Sequence, residues 1–593
     1  MPWTTIPWTA THCPVTERAN IADALPRLAA QHPDRVAMRC PGTRRRDGLA
    51  SYDLSLTYAQ LEARSNAIAA GLALRGVGHG SRVVVMVRPS PEFFLLMFAL
   101  FKAGAVPVLV DPGIDRRALR QCLDEAQPDA FIGIGLAQVA RRLLGWAKSA
   151  RLAITTARRP WLSDATLAQV EQDGARVIAS GEAASPAATD ADDVAAILFT
   201  SGSTGVPKGV VYRHRHFLAQ VAMLRDAFGI VPGGVNLPTF PPFALFDPAL
   251  GVTSIIPDMD PTRPAEADPR KLHDAIDRFG VDQLFGSPAL MAVLARHGER
   301  LPTLKRVMSA GAPVPADVVA TLRRLLPDDA RFWTPYGATE CLPVTMIEGR
   351  ELQATREATE AGAGTCVGWP TAPNVVRIIA ITDAPIGEWS DALCVPHGEV
   401  GEITVAGPTA TDTYFNRDAQ TRAAKIHERV GRTGDGPDGS DTAGRKGATP
   451  GTVPTADDER IVHRMGDLGY FDAQGRLWFC GRKSHRVESA AGPLYTEQVE
   501  PVFNTHPQVR RTALVGVGAV GTQQPMLCVE LEADVPRDQW PSIERDLRGI
   551  ANMHPSLVMI DRFALHPGFP VDIRHNAKIG REKLAVWAAA TKQ

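Results

Sequence analysis

The feature that most constrains the fold is a run of glycines and hydroxyl residues between two apolar segments, Ile197-Leu-Phe-Thr-Ser-Gly-Ser-Thr-Gly-Val-Pro-Lys-Gly-Val-Val211. The apolar, β-branched ends predict two strands, and the glycines predict a tight loop between them. Backbone N–H groups, hydroxyls and a lysine in such a loop all favour an anion, phosphate above all. The residues predicted to bind phosphate are Thr200, Ser201, Gly202, Ser203, Thr204, Gly205 and Lys208.

A P-loop nucleotide-binding motif does not fit this run. That motif requires G-x-x-x-x-G-K-[ST] at the start of a helix. Here Pro207 precedes Lys208, Gly209 follows it, and a β-branched segment comes next, which predicts a strand. A Ser/Gly-rich turn without a ligand is the plain alternative, and the length of the patterned run argues against it.

Helix and strand patterns alternate before this loop. Apolar residues at near-helical spacing come first: Leu61, Ile68, Leu72 and Leu74. A β-branched strand at 82–87, an apolar helix at 93–101 and a second strand at 106–110 follow. This alternation is typical of a parallel α/β sheet, and similar alternation recurs between residues 195 and 285.

Composition divides the rest of the chain. Residues 431–458 are rich in Gly, Pro, Ser, Thr and Asp and have almost nothing to bury, which predicts a mobile surface insertion. After Arg482 a compact pattern resumes, with helices at 497–503 and 543–553 and strands at 512–517 and 526–531. We therefore predict the α/β class, with a large N-terminal body of mixed sheets (residues 1–482) and a small, mobile C-terminal α+β lobe (residues 483–593).

Charge and cysteine usage exclude several classes of protein. Lys+Arg 64 against Asp+Glu 65 gives a net charge of -1, without the positive excess of a nucleic-acid binder. The eight cysteines form no C-x-x-C pair, which favours reduced thiols over disulfides or zinc. The N-terminus has no secretory pattern, and the most apolar run, 93–101, is too short to cross a bilayer. These features predict a cytoplasmic protein without a transmembrane segment.

Six further motifs follow the phosphate loop in order: Gly311-Ala-Pro313, Tyr336-Gly-Ala-Thr-Glu340, Gly398-Glu-Val-Gly-Glu-Ile403, Gly466-Asp-Leu-Gly-Tyr470, Gly481-Arg482 and Lys578-Ile-Gly-Arg581. Together with the loop they resemble the acyl-adenylate-forming superfamily, which includes acyl-CoA synthetases, peptide-synthetase adenylation domains and luciferases. The resemblance spans about residues 56–584. Any one motif would be weak, whereas seven in the family's order are highly specific.

The resemblance implies that a substrate carboxylate attacks the α-phosphorus of ATP and pyrophosphate leaves. The site lies in the cleft between the body and the lobe, so domain closure would gate the chemistry. Lys208 and the hydroxyl loop would bind the β- and γ-phosphates. The other implied roles are Glu340 as the magnesium ligand, Thr339 as a donor to the α-phosphate, Gly311, Ala312, Pro313 and Tyr336 around adenine, Asp467 and Arg482 at the ribose, and Lys578 between carboxylate and α-phosphate.

Three segments resemble more narrowly the β-lactone synthetases of long-chain olefin biosynthesis: Val210–His216, Phe240–Asp247 and Asp572–Lys578. In those enzymes the acid is a long-chain 2-alkyl-3-hydroxy acid. Its own hydroxyl displaces AMP, coenzyme A is not used, and other enzymes of the olefin pathway are possible partners. Two departures from the wider family, Ser484 at the hinge and Ala244 where a histidine is common, agree with a reaction without thioester formation.

Two alternatives stay open from the sequence. The first is a long-chain acyl-CoA ligase, which would require coenzyme A for product formation. The second is a non-catalytic acyl-binding or scaffolding protein, against which the intact Lys208, Glu340, Asp467 and Lys578 argue. Asp247, in the predicted acyl-pocket loop, could orient a substrate hydroxyl, pair with the ammonium of an amino acid, or serve as a turn residue before Pro248.

Overall fold

The computed structural model of the 593-residue chain describes residues 18–110, 114–181, 188–200, 207–429, 459–571 and 579–591. The predicted insertion at 431–458 therefore lies outside the described residues. The helices are α1 Ala24–Gln31, α2 Tyr58–Ala73, α3 Pro91–Lys102, α4 Arg116–Ala126, α5 Gly135–Leu144, α6 Leu167–Ala179, α7 His214–Phe228, α8 Asp247–Leu250, α9 Pro269–Phe279, α10 Pro288–His297, α11 Ala316–Leu325, α12 Gly349–Ala354, α13 Arg356–Glu360, α14 Asp418–Ala424, α15 Thr496–Phe503, α16 Trp540–Met553 and α17 Arg581–Ala590.

The strands fall into four sheets. Those before residue 300 are β1 Val36–Cys40, β2 Leu54–Thr57, β3 Arg82–Met86, β4 Val106–Val110, β5 Ala130–Gly133, β6 Leu152–Thr155, β7 Ala165–Thr166, β8 Val194–Thr200, β9 Lys208–Arg213, β10 Val235–Pro238, β11 Thr253–Ile255 and β12 Gln283–Gly286. The later ones are β13 Arg306–Ser309, β14 Arg331–Ala338, β15 Cys341–Glu348, β16 Thr365–Pro370, β17 Val375–Ile379, β18 Gly401–Ala406, β19 Lys425–Arg429, β20 Glu459–Phe471, β21 Leu477–Arg482, β22 Val487–Ser489, β23 Gly492–Leu494, β24 Val509–Val517, β25 Gln524–Leu531 and β26 Arg562–Leu565.

The predicted α/β pattern before the phosphate loop forms a seven-stranded sheet in the order β7-β6-β5-β3-β4-β8-β9. Its strands pair in parallel except β8 and β9, which form an antiparallel pair. The β-branched segment predicted at 82–87 is β3, and the strand predicted at 106–110 is β4. The last pair of this sheet carries the phosphate loop between its strands.

Two helices show how the sequence builds this body. α2 begins at a capping box: the Thr57 hydroxyl accepts from the backbone N–H of Gln60, and Oε1 of Gln60 accepts from the backbone N–H of Thr57. α3 is apolar on all sides from Phe93 to Phe101 and buried over that length, as expected for a core helix rather than a membrane span. Leu74, the last of the apolar residues at near-helical spacing, lies just past the end of α2 and is 57% exposed.

A 14-stranded sheet forms the second layer and runs β17-β18-β20-β21-β16-β15-β14-β13-β12-β10-β11-β1-β2, with β19 paired to β20. The central strands β10, β12, β13 and β14 are parallel neighbours, whereas β14 to β21 pair antiparallel. The N-terminal body is therefore a mixed-sheet structure, as predicted. No helix among the described residues is long and apolar enough to cross a membrane.

The C-terminal part is a smaller α+β unit with its own core. β24, β25 and β26 form a three-stranded sheet, and α15 and α16 pack on it through Phe503, Ile543 and Leu547. The predicted helices at 497–503 and 543–553 are α15 and α16, and the predicted strands fall in β24 and β25. The predicted fold class is confirmed, while the boundary at residue 482 and the mobility of the lobe stay predictions.

Candidate functional site

The phosphate loop is anchored by the pairing of the two strands that flank it. Thr200, the last residue of β8, lies opposite Lys208, the first residue of β9. Both side chains are partly exposed at this end of the sheet. Residues 201–206 lie outside the described part of the chain, and with them the predicted phosphate-binding residues Ser201, Gly202, Ser203, Thr204 and Gly205.

A short segment that contains Tyr414 lies along β9 and brings a second side chain to the loop. The backbone N–H of Phe415 donates to Gly209 O at 2.7 Å, and Val210 forms an isolated bridge with Tyr414. The Tyr414 ring is buried, and Nζ of Lys208 lies 5.1 Å from its centroid, within the range of a cation–π contact. Lys208 is thus held near the loop with its ammonium over an aromatic face.

Two further motifs lie at the carboxyl edge of the large sheet. Because β10, β12, β13 and β14 are parallel neighbours, their carboxyl ends meet at one edge, where ligands bind in open α/β sheets. The loop after β13 carries Gly311, Ala312 and Pro313, and Gly311 has a φ of 102°, which favours glycine. The end of β14 carries Tyr336, and the turn after it carries Thr339 and Glu340.

Glu340 is held by Tyr414. The Tyr414 hydroxyl donates to Oε1 of Glu340 at 2.6 Å, and the Glu340 side chain is partly exposed. The neighbouring residue Thr339 is fixed through its backbone, because the hydroxyl of the buried Tyr212 donates to its carbonyl oxygen. A partly exposed carboxylate next to a phosphate loop is a hard oxygen donor of the kind that Mg²⁺ takes together with phosphate oxygens, so Glu340 fits that ion.

Tyr336, Asp467 and Arg482 form one cluster. The Tyr336 hydroxyl donates to Oδ2 of Asp467 at 2.6 Å, and Nη1 of Arg482 lies 3.0 Å from Oδ1. Asp467 is 3% exposed, and burial raises its pKa although Arg482 opposes the shift. The attraction of Asp467 is also the main reason that the pKa of Arg482 is raised.

One oxygen of this cluster is available to a ligand. Oδ1 of Asp467 is buried, and despite the ion pair it accepts no hydrogen bond of good geometry from any residue that the structure describes. A buried acceptor without a donor is costly unless a ligand or water supplies one. A ribose hydroxyl is a suitable donor, which agrees with the role that the resemblance implies for Asp467.

The side chain of Asp247 lies beneath the loop after β10 rather than on its surface. It is 5% exposed, and its two oxygens accept from Asn236 at 3.0 Å each, while Ser254 donates to Oδ2 at 2.5 Å. Burial raises the pKa of Asp247 to about 7 despite these hydrogen bonds. The contacts favour a carboxyl group that holds the loop in place, and direct contact with a substrate hydroxyl stays a prediction.

The same loop carries aromatic rings that pack on one another. Phe243 lies 5.3 Å from Phe240, 6.4 Å from Phe246 and 4.5 Å from Phe285, centroid to centroid. Phe246 also contacts Phe217 of α7 at 6.1 Å. Phe240 remains 39% exposed. This edge of the sheet therefore offers an apolar surface next to the predicted adenylation residues, while Ala244 is fully buried beneath it.

The C-terminal motif is described only in part. Lys578 and its neighbours 572–577 lie outside the described residues. Arg581, the last residue of the motif, forms a buried ion pair with both oxygens of Glu500, at 2.5 and 2.8 Å. Ser484 is in a short turn of 3-10 helix between Lys483 and His485, and Lys483 contacts Glu402 of the body at 3.1 Å. The Lys483–Glu402 contact ties the C-terminal part to the body near residue 482.

Several residues that sequence reasoning missed complete the site. Tyr414 joins the phosphate loop to Glu340, Tyr212 fixes Thr339, and Lys425 lies buried beside Tyr414 with its ammonium 5.7 Å from the ring centroid. The sequence gives no signal for Lys425, because the strand that it begins reads Lys-Ile-His-Glu-Arg and a lysine is ordinary in so polar a segment. Tyr414 and Tyr212 carry no signal either, because a tyrosine in a strand is ordinary.

Comparison with known proteins adds relatives and a fold match. The chain matches the family described as AMP-binding enzyme over residues 25–415. It is 68% identical to the olefin beta-lactone synthetase of Xanthomonas campestris pv. campestris, across 97% of this chain and 98% of that protein. It is 66% identical to the olefin beta-lactone synthetase of Stenotrophomonas maltophilia, across 96% and 98%. Among solved structures, the amide bond synthetase McbA from Marinactinospora thermotolerans superposes with a TM-score of 0.71 at 20% identity, across 96% of this chain and 99% of that one, a likeness of fold.

Proposed function

Since this chain belongs to the AMP-binding enzyme family, we propose that it activates a long-chain 2-alkyl-3-hydroxy acid with ATP and closes the acyl-adenylate to a β-lactone. The predicted AMP-forming ligase and the predicted likeness to β-lactone synthetases are both confirmed by the family match and by the two relatives at 68% and 66% identity. The alternative of a fatty acyl-CoA ligase is less well supported, because both of those relatives carry the β-lactone name.

One observation supports the proposal most strongly: separate motifs converge through direct contacts. Lys208 faces the Tyr414 ring, and the Tyr414 hydroxyl binds Glu340. Arg482 pairs with Asp467, and its charge also interacts with Glu340 and Tyr414. Residues from the phosphate loop, the Y-G-x-T-E element and the G-D-x-G element are thus linked by contacts, which supports a shared nucleotide site.

In the first step, a carboxylate oxygen of the substrate attacks the α-phosphorus, and the bond from that phosphorus to pyrophosphate breaks. Lys208 supplies positive charge for the β- and γ-phosphates, and Thr339 and Thr200 lie where polar groups can face the phosphates. Mg²⁺ bound through Glu340 would neutralise part of the phosphate charge. Asp467 and Arg482 would hold the ribose, Tyr336 and the Gly311–Pro313 loop the adenine, and Lys578 would approach with the C-terminal lobe.

In the second step, the 3-hydroxyl oxygen of the same substrate attacks the acyl carbon. The bond between that carbon and the AMP oxygen breaks, AMP leaves with one oxygen of the original carboxylate, and the hydroxyl proton passes to solvent. Tethering gives the hydroxyl a high effective concentration. Loss of AMP from a mixed anhydride supplies driving force against the strain of a four-membered ring.

The aromatic surface at Phe240, Phe243, Phe246 and Phe285 supports an apolar substrate. Each ring buries a large apolar area, so an alkyl chain on this surface would be removed from water. The link to olefin enzymes follows from the product, since a β-lactone that loses carbon dioxide becomes an alkene. An enzyme of that decarboxylating class would consume the product.

The test is to supply ATP, magnesium and a panel of acids, with and without coenzyme A, and to identify the organic product by NMR. We expect a 3-hydroxy acid to give a β-lactone without coenzyme A, and the matching 3-deoxy acid to stall as acyl-AMP. A thioester that requires coenzyme A, with no lactone, would assign the chain to the acyl-CoA ligases. The Asp247→Asn variant is measured in parallel; unchanged lactone formation would remove Asp247 from the closure step only.

A further inference from the structure

Lys425 is a buried lysine beside the proposed ATP site. It is the first residue of β19, it is 2% exposed, and among the described residues it forms no ion pair within 4.0 Å. Its ammonium donates to the backbone oxygen of Thr411 and, at 3.2 Å, to the Thr411 hydroxyl. A buried charge without a carboxylate partner is costly, so simple packing, which an apolar side chain would achieve at lower cost, does not account for a lysine here.

The partners of Lys425 lead directly to Glu340. The backbone N–H of Thr411 donates to Glu340 O at 2.9 Å, and the Thr411 hydroxyl lies 3.1 Å from the same oxygen. The Lys425 ammonium faces the Tyr414 ring, whose hydroxyl binds Oε1 of Glu340. Lys425 therefore contacts the two residues that fix the backbone and the carboxylate of Glu340.

The Val210–His216 segment, one of the three that carry the narrower resemblance, helps to hold the 411–415 segment in place. Arg213 and Arg215 bind Oδ2 of Asp412 at 2.8 and 2.6 Å, and the pKa of Asp412 is lowered. Asp412 lies between Thr411 and Tyr414 in sequence, so these two ion pairs hold the whole 411–415 segment against β9. Tyr212, in the same run, fixes Thr339.

We propose that Lys425 is a positioning residue for Glu340, acting through Thr411 and Tyr414, and that this fixes how the enzyme takes up magnesium with ATP. The proposal rests on the proposed function in one respect, the role of Glu340 toward Mg²⁺. Two positive charges, Lys208 and Lys425, face the Tyr414 ring at 5.1 and 5.7 Å. Two cation–π contacts and the hydrogen bond to Oε1 of Glu340 together hold the Tyr414 side chain in place.

The charges around Lys425 agree with this reading. Burial lowers the pKa of Lys425 to about 8, and the negative charges of Glu340 and Asp412, together with Cys341, oppose the shift. His463, opposite Lys425 in the β19–β20 pair, is buried, and its pKa is lowered by burial and by Lys425. His463 is therefore neutral, and the Lys425 ammonium is the positively charged group of this residue pair.

The experiment compares Lys425→Met, Tyr414→Phe and the double variant in the full chain. Methionine keeps the length of the side chain without its charge, and phenylalanine removes only the hydroxyl. The first readout is calorimetric binding of α,β-methylene-ATP as a function of Mg²⁺ concentration, which needs no turnover. The second is the Mg²⁺ dependence of ATP–pyrophosphate exchange with a 3-hydroxy acid.

Both single variants are expected to raise the Mg²⁺ concentration for half-maximal binding by about tenfold, the lower end of what lost partners of metal ligands cost. High Mg²⁺ should restore most of the exchange rate. Because both residues act through Glu340, the increase in this Mg²⁺ concentration in the double variant should be much smaller than the product of the two single increases. The matched control is Lys102→Met combined with Glu62→Gln, which removes a buried lysine whose hydrogen-bond partners lie on α2, outside these motifs, without leaving a carboxylate unpaired. Its Mg²⁺ dependence should equal that of the wild type.

Unchanged Mg²⁺ dependence in a folded Lys425→Met variant would overturn the proposal, as would multiplicative effects in the double variant. If Lys425→Met does not fold, Thr411→Val decides, because it removes the hydroxyl that lies between Lys425 and Glu340 and keeps the shape of the side chain. Failure of the proposed function has a different signature: the wild type would then show no exchange with any acid, whatever the variants do.

Discussion

Two buried lysines of this chain are satisfied in opposite ways. Lys102, at the end of α3, lies 2.6 Å from Oε2 of Glu62, and both Ser65 Oγ and Asn66 Oδ1 accept from it at 2.8 Å. Among the residues that the structure describes, Lys425 has only the two oxygens of Thr411 and the ring of Tyr414. Both are at most 4% exposed, so burial alone does not separate them.

The difference lies in what the partners do. The partners of Lys102 all lie on α2, so their contacts with Lys102 join α2 to α3 and stabilise the core. Those of Lys425 contact Glu340 and lie beside the phosphate loop, so the charge is placed where it shapes a site. A buried lysine is most stable when its ammonium pairs with a carboxylate and makes all its hydrogen bonds, as that of Lys102 does. A buried lysine without a carboxylate partner, such as Lys425 among the described residues, indicates a functional reason for its charge.

A third lysine, Lys578, is expected to give the largest loss of activity when it is replaced. Lys578, from the terminal motif, is expected to touch the reacting atoms, so Lys578→Ala should slow adenylation by on the order of 10²–10³-fold, as for other lost transition-state donors. ATP binding should change little. Single-turnover formation of acyl-AMP measures the rate, and unchanged turnover would remove Lys578 from the site.

Lys102→Met alone should act on stability and not on the site. The substitution leaves Glu62 without its partner in a largely buried position, which costs about 3 kcal/mol in the free energy of unfolding. Urea unfolding measures the loss, and exchange activity per folded molecule should stay at the wild-type value. A drop in that specific activity without a loss of stability would break the contrast between the two lysines.

The general fold follows from the sequence because short-range patterns determine it. Apolar spacing predicts α2, and the β-branched runs predict β3 and β4. Leu74 continues the apolar spacing but lies just past the end of α2, where it is exposed. The strand β26 and the hairpin β22–β23 carry too few patterned residues to be predicted.

The site was predictable only where it coincides with a motif. The structure brings Lys208, Glu340, Tyr336 and Asp467 together through ordinary strand residues, and no local pattern marks those. Tyr414 is distant in sequence from Glu340, and only the pairing of the 413–415 segment with β9 brings them into contact. Contacts of this kind depend on tertiary structure, which a single sequence does not display.

A smaller effect is expected from Thr411→Val, which tests the link between Lys425 and Glu340. Valine keeps the shape of the side chain but removes the hydroxyl that contacts both residues. A net hydrogen bond contributes about 1 kcal/mol, so the Mg²⁺ concentration for half-maximal exchange should rise roughly fivefold. An effect that persists unchanged in a Glu340→Gln background would show that Thr411 acts elsewhere.

The buried carboxyl of Asp247 offers an acidic counterpart, tested by pH. Its folded pKa of about 7 lies above the unfolded value of 3.8, so the folded state binds more protons between these values. Its contribution to stability is therefore lost as pH rises from about 4 to 7, by on the order of 1 kcal/mol per pH unit. The free energy of unfolding of Asp247→Asn, measured in urea, should therefore rise relative to the wild type as pH increases across that range. A difference that stays constant with pH would contradict the raised pKa of Asp247. Tyr58, whose pKa is raised by burial and by the charge of Asp247, is the titratable neighbour to check.

The most direct test of the central claim follows oxygen. A 3-hydroxy acid with both carboxylate oxygens as ¹⁸O is converted with ATP and magnesium, and AMP and lactone are analysed by mass spectrometry. Adenylation of the carboxylate and attack by the hydroxyl predict one ¹⁸O in AMP and one in the lactone carbonyl. Unlabelled AMP with two ¹⁸O atoms in the lactone would show that the hydroxyl was activated instead, and ADP in place of AMP would contradict adenylation altogether.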